Sequence, residues 1–100
     1  MSPIRFRRSK PLAPHEVDVV IYLREHCHLC TQALGVVRSV VGDNFRTIDI
    51  DTPGVPAEIR TRYAQTIPVV CVNQVVVGEL FISERQLRRA IGQKRRWWHI

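Results

Sequence analysis

Cysteine is scarce in this chain, with three in 100 residues. A secreted domain stapled by disulfides carries an even set of about four to eight at this size, so the count argues against that class and for a reducing, cytoplasmic setting. Long apolar runs are missing as well. The longest candidate, Val69 to Val77, is broken by Asn73 and Gln74, and falls well short of the roughly 20 residues of a membrane-spanning helix. No membrane partner is expected. The basic start is followed by prolines and not by an apolar stretch, which argues against a secretory leader. Acidic residues are in deficit: nine Asp and Glu against fifteen Lys and Arg leave a formal charge of +6. The excess gathers at the ends, on Arg5, Arg7, Arg8 and Lys10 and on Lys94, Arg95 and Arg96, while the middle is nearly balanced. Such ends read first as solubilising tails. Weak nucleic-acid binding, with Trp97 and Trp98 stacking on bases, is the competing use and not the expected one.

The length supports one domain with one modest core. Residues 1–16 hold Pro3, Pro11 and Pro14 without apolar periodicity and read as a flexible basic tail. Val17 to Leu23 is short, β-branched and almost continuously apolar, the pattern of a strand buried on both faces. From Cys30 to Val41 the period changes. Leu29, Ala33, Val36, Val37 and Val40 fall on one helical face, and Gly42 supplies a stop. Phe45 to Ile50 reads as a second strand, and Pro56 to Ala64 as a helix with proline in its first turn. Val69–Val72 and Val75–Val77 flank Asn73-Gln74 as a hairpin, with Gly78 ending the second strand. Ser83-Glu84-Arg85-Gln86 has the spacing of a capping box, opening a last helix that carries Leu87, Ala90 and Ile91 inward and stops at Gly92. Residues 93–100 are left as a basic, aromatic tail. The order is β-α-β-α-β-β-α, an α/β fold with a central four-stranded mixed sheet between helices.

Chemistry concentrates at Cys27-His28-Leu29-Cys30. Two thiols at i and i+3 where a strand hands over to a helix can meet across one turn. The first also lies against the unpaired N–H groups and positive end of the helix. Those donors stabilise a thiolate over a thiol, and helix-start cysteines of such pairs ionise at about pH 3.5–7 instead of about 8.5. A C-x-x-C at the end of the first strand of a βαβ unit marks a thioredoxin-like redox centre. Thr66-Ile67-Pro68, directly before the third strand, supports it.

On these residues the chain resembles a glutaredoxin, and most of all a glutaredoxin-like branch with a Cys-x-x-Cys centre. The resemblance runs over Val17 to Ile91. It rests on Tyr22 to Cys30, on Thr66-Ile67-Pro68 and on Gly78 at the family's spacing after the proline. It implies a thioredoxin-like domain over 17–92 and a thiol–disulfide oxidoreductase, expected as a monomer. Cys27 would attack a substrate disulfide and Cys30 would resolve the mixed species. Pro68 would be cis and face the dithiol, and Ile67 would offer its N–H and C=O to an extended peptide or to glutathione. Arg24 stands where glutaredoxins carry a lysine that pairs with a glutathione carboxylate. The family's Gly-Gly-x-Asp before the last helix is replaced by Gly78-Glu79-Leu80-Phe81-Ile82-Ser83. There Ser83 could present a helix N-terminus to a carboxylate, while Glu79 would repel one. The residues between the cysteines are His28-Leu29, and a charged His28 would make the centre more oxidising. No resident cofactor is expected. The partners are a disulfide-bearing protein or glutathione as co-substrate.

A binding module is the alternative. Cys71, His15, His26 and His28 could join the dithiol around zinc, or two chains could share an iron–sulfur cluster. Cys71, inside an apolar strand, reads more simply as a small core residue.

Overall fold

The computed structural model describes residues 17–99, with side chains placed through residue 92. The expected tail over 1–16 and the side chains of Trp97 and Trp98 lie outside the described residues. Four strands and three helices follow one another as β1 (Val19–Leu23), α1 (His28–Val41), β2 (Arg46–Asp49), α2 (Ala57–Tyr63), β3 (Val69–Val72), β4 (Val75–Glu79) and α3 (Glu84–His99). The sheet order is β2-β1-β3-β4. β2 runs parallel to β1, whereas β3 is antiparallel to both β1 and β4. This is the mixed α/β sheet the sequence pattern predicts.

β1 is central, and its alternation divides the core. Val19 and Ile21 face the larger cluster, with Ala33, Val37 and Val41 of α1 and Leu87 and Ile91 of α3. Val20 faces the smaller cluster, with Tyr63 at the end of α2, Val69 and Cys71; Tyr22, Ile48, Ile59 and Ile67 pack around it. Two helices therefore cover one side of the sheet and one covers the other. That explains why a strand buried on both faces reads as a continuous apolar run.

Several boundaries differ from the sequence reading. α1 begins at His28, and its buried stripe is Cys30, Ala33, Val37 and Val41, at spacings of three and four. Leu29 is exposed and Val36 and Val40 are only half-buried. The stripe is thus turned toward Cys30, because cysteine competes well for a core position. β4 does not end at Gly78, which pairs with Val70 inside the strand. Its lack of a side chain serves close packing: a Cβ there would lie 2.7 Å from Ile82 Cδ1. α3 does not stop at Gly92 but runs on to His99. Gly92 has no positive φ, so it forms no left-handed cap, and Gln93, Lys94, Arg95 and Arg96 favour continuing the helix.

The hairpin turn is where the sequence places it. Asn73 and Gln74 both have positive φ, 51° and 68°, the requirement of a type I′ turn. No glycine is needed because the turn is tied down. Asn73 N–H donates to the Asp18 carbonyl at 2.8 Å, and Asp18 N–H returns a bond to Asn73 Oδ1 at 2.9 Å. Arg46 bonds the Asp18 carboxylate at 2.9 Å. This network closes one pole of the sheet, at the start of β1. The dithiol lies past the other end of that strand.

Candidate active site

The chain leaves β1 at Leu23 and must reverse before α1. His26 makes the reversal in the left-handed region, at φ 59°. Cys27 then adopts an extended backbone, φ −111° and ψ 105°, and becomes the N-cap of α1. Its Sγ accepts the Cys30 N–H at 3.1 Å. Sulfur thus takes the place a serine or aspartate oxygen usually holds, meeting one of the helix's orphan donors. The Cys27 carbonyl accepts Thr31 N–H at 3.2 Å, which starts the helix ladder.

Cys27 and Cys30 form a disulfide with their Cα atoms 5.1 Å apart. The two sulfurs are not equivalent. Cys30 sits in the core stripe at 3% exposure, whereas Cys27 is only half-buried. An incoming reagent therefore meets Cys27 first. Cys71 is buried on β3, away from this pair, as a free thiol. Burial pushes its ionisation up, and the negative charges of Asp18 and Glu79 add to the effect. Both effects favour the thiol over the thiolate.

Pro68 is buried, and the Ile67–Pro68 peptide is cis. Val69 pairs with Tyr22. Pro68 is therefore level with the end of β1, from which the Arg24–Cys27 loop departs. Ile67, expected to offer both backbone groups, has its N–H engaged: it donates to the Tyr63 carbonyl at 3.0 Å, as the cis-proline turn closes back on α2. Thr66 Oγ1 is buried without a hydrogen-bond partner among the described residues.

Arg24 does not reach out as a free cation. Its Nε and Nη2 donate to the two Asp51 oxygens at 2.8 and 2.9 Å. This fork holds the Asp51 carboxyl below the ordinary aspartate range and raises Arg24 further. Ser83 is likewise engaged. Its hydroxyl oxygen accepts Gln86 N–H at 3.0 Å and its own N–H donates to Gln86 Oε1 at 2.9 Å. The capping box forms as the sequence predicts, and it uses the groups that a ligand carboxylate would need. His28 is exposed on the first turn of α1, with Nε2 3.4 Å from Gln32 Nε2.

Sequence reasoning missed three residues here. Asp51 sits in a turn motif and gave no sign of its distant partner. Leu80 adopts a positive φ of 67°, and its N–H is shared between the Thr66 and Pro68 carbonyls at 2.9 and 3.0 Å. Phe81, next to it, is 69% exposed. The available signal was an apolar pair in the connection that replaces the family's Gly-Gly-x-Asp, just after Glu79 in the second glycine's place. Among the described residues, no three His, Cys, Asp or Glu side chains converge as a metal site. His15 lies outside the described residues.

The family model of the Glutaredoxin-like domain (DUF836) matches residues 18–92. The chain belongs to this glutaredoxin-like family. Solved structures agree on the thioredoxin fold. A structural-genomics target protein from X. campestris superposes with a TM-score of 0.62 at 21% identity, covering 75% of this chain and 96% of that one. Oxidised glutaredoxin 2 from Chlamydomonas reinhardtii gives 0.57 at 10% identity, covering 97% and 94%. Thioredoxin from Malassezia sympodialis gives 0.53 at 17% identity, covering 94% and 86%. No curated protein matches the chain. The glutaredoxin-like fold together with the Cys27–Cys30 pair supports a redox-type function.

Proposed function

We propose that this glutaredoxin-like protein is a dithiol thiol–disulfide oxidoreductase, with Cys27 as nucleophile and Cys30 as resolving thiol. One observation carries the reading: the half-buried Cys27 sulfur caps α1, accepts the Cys30 N–H, and is bridged to a buried Cys30. In the reduced protein the same N–H and the helix dipole stabilise the Cys27 thiolate. That thiolate attacks one sulfur of a substrate disulfide. A Cys27–substrate disulfide forms, and the other substrate sulfur leaves as a thiolate. Cys30 then loses its proton and attacks Cys27 Sγ. The second substrate thiolate departs and the Cys27–Cys30 disulfide remains. Two electrons have passed from the dithiol to the substrate, whose thiolates take up protons from water. A low-potential dithiol or thiol reductant returns the protein to its starting state.

His28, on the first turn of α1, directly follows the nucleophile in the chain, and positive charge on it makes the centre more oxidising. The odd, low cysteine count supports a reducing, cytoplasmic setting, and we read the protein as acting as a monomer. Among the described residues no helix is long and apolar enough to cross a membrane.

The test uses iodoacetamide labelling of the reduced protein at mildly acidic pH, combined with two variants. Cys27 is expected to label first. Cys30→Ser is expected to accumulate a mixed disulfide with substrate, and Cys27→Ser to lose exchange altogether. Equal residual activity in the two variants, or a Cys27 that labels no faster than Cys71, would exclude these roles.

A further inference from the structure

The loop from β4 to α3 holds two apolar side chains in solvent. Leu80 is 44% exposed and Phe81 69%. They are not there because the loop is loose. Leu80 keeps a left-handed backbone that residues with a Cβ adopt uncommonly. It is pinned there by the bonds from its N–H to the carbonyls of Thr66 and Pro68. Phe81 N–H donates to the Glu79 carbonyl at 2.7 Å, and the next residue, Ile82, is buried below. The pair therefore rides on backbone hydrogen-bonded to the cis-proline turn, the segment expected to meet substrate. Leu29, between the two cysteines, adds a third exposed apolar side chain.

The polar groups expected to hold glutathione do not suit it. That tripeptide presents a carboxylate at each end, one of them beside an ammonium, with a net negative charge, and needs cations or N–H donors to hold the carboxylates. Arg24 already forks onto Asp51, the Ser83 cap is closed on Gln86, and Glu79 is exposed next to Leu80. Ile67 N–H is used within the chain. Main-chain pairing with a ligand therefore lacks one of its two usual bonds, and side-chain contact must supply the selectivity.

We infer that Leu80 and Phe81 are specificity-determining residues that bind an apolar side chain beside the cysteine of an extended polypeptide disulfide, in preference to glutathione. This rests on the redox reading above and names the substrate class for the same site. In the reaction, Cys27 forms its mixed disulfide with the polypeptide sulfur while the apolar neighbour packs on Leu80 and Phe81. Cys30 then displaces the polypeptide as its thiolate.

Three mixed disulfides with thionitrobenzoate test it, because each releases the same coloured thiolate when Cys27 attacks the other sulfur. One is carried by a peptide with Leu and Phe flanking its cysteine, one by a peptide with Glu and Ser, and one by glutathione. In a single turnover, with reduced full-length chain in excess, the apolar peptide is expected to release thionitrobenzoate with a second-order rate constant about tenfold above both others, the scale of discrimination an apolar contact supplies. Phe81→Ser, at an exposed position, is expected to bring the two peptides' rate constants within about twofold of each other. Phe81→Leu restores the preference. Glutathione reacting as fast as the apolar peptide, or a preference that survives Phe81→Ser, overturns the inference and leaves the redox reading standing. No thionitrobenzoate from any of the three overturns both.

Discussion

Gly78 is the position where the packing of this fold can be tested most directly. Its φ is not positive, so alanine is allowed by the backbone and only space is at issue. A Cβ there would stand 2.7 Å from Ile82 Cδ1, 3.2 Å from the Phe81 carbonyl oxygen and 3.4 Å from Ile82 Cβ. The first contact is too close and the second is tight. Ile82 is only 7% exposed, and its end cannot swing into solvent without vacating the core. Overpacking of this kind costs about 1–3 kcal/mol. Against it, alanine restricts the unfolded chain and returns about 0.4–1 kcal/mol. Gly78→Ala should therefore destabilise by up to about 2.6 kcal/mol, with about 4–8 °C in Tm for each kcal/mol at this chain length. Urea unfolding of the oxidised protein reads it. The decisive arm is a double-mutant cycle with Ile82→Val, which deletes the clashing Cδ1. That change alone costs about 0.5–1.5 kcal/mol. In the Gly78→Ala background it should cost less or even stabilise, giving a coupling of at least about 0.5 kcal/mol. Additive effects in the cycle would refute the packing argument.

Other expectations follow from the same site. Thr66→Val replaces a buried hydroxyl that lacks a partner among the described residues with a methyl of similar size, and should stabilise by about 1 kcal/mol in urea unfolding; a loss of that size would show that the hydroxyl is bonded in solution. Asp51 has its folded pKa depressed by Arg24. Its contribution is therefore present above the ordinary aspartate pKa and lost as pH falls through the lower folded value. The stability gap between wild type and Asp51→Asn should narrow as pH falls below the ordinary aspartate range, and a gap of constant size from neutral pH downward would contradict the fork. His28→Leu removes the imidazole that directly follows Cys27 and should lower the reduction potential by on the order of 30 mV, a tenfold change in the dithiol equilibrium. Redox titration against a glutathione buffer measures it, and an unchanged or higher potential would remove His28 from the mechanism.

Much of this protein was legible in its chain because the features concerned are local. The change from a β-branched run to helical spacing around Cys27 and Cys30 marks the handover that makes Cys27 an N-cap. Ser83 and Gln86 meet across one turn, as their spacing requires. Asn73 and Gln74 turn the hairpin at the register the flanking valines specify. Thr66-Ile67-Pro68 pointed to the cis peptide through family resemblance and not through local physics.

What only the tertiary structure decided involves groups that meet across long stretches of chain. Arg24 and Asp51 lie 27 residues apart, and whether a surface arginine is free or paired depends on where two loops come to rest. The Ile67 N–H went to Tyr63 because α2 ends beneath the cis-proline turn. Leu80 was held in a conformation its side chain disfavours by two carbonyls from another strand's approach. Spacing along a chain prescribes which neighbours a helix or turn will bond. Burial and long-range hydrogen bonds then select which of the remaining polar and apolar groups are left facing a substrate.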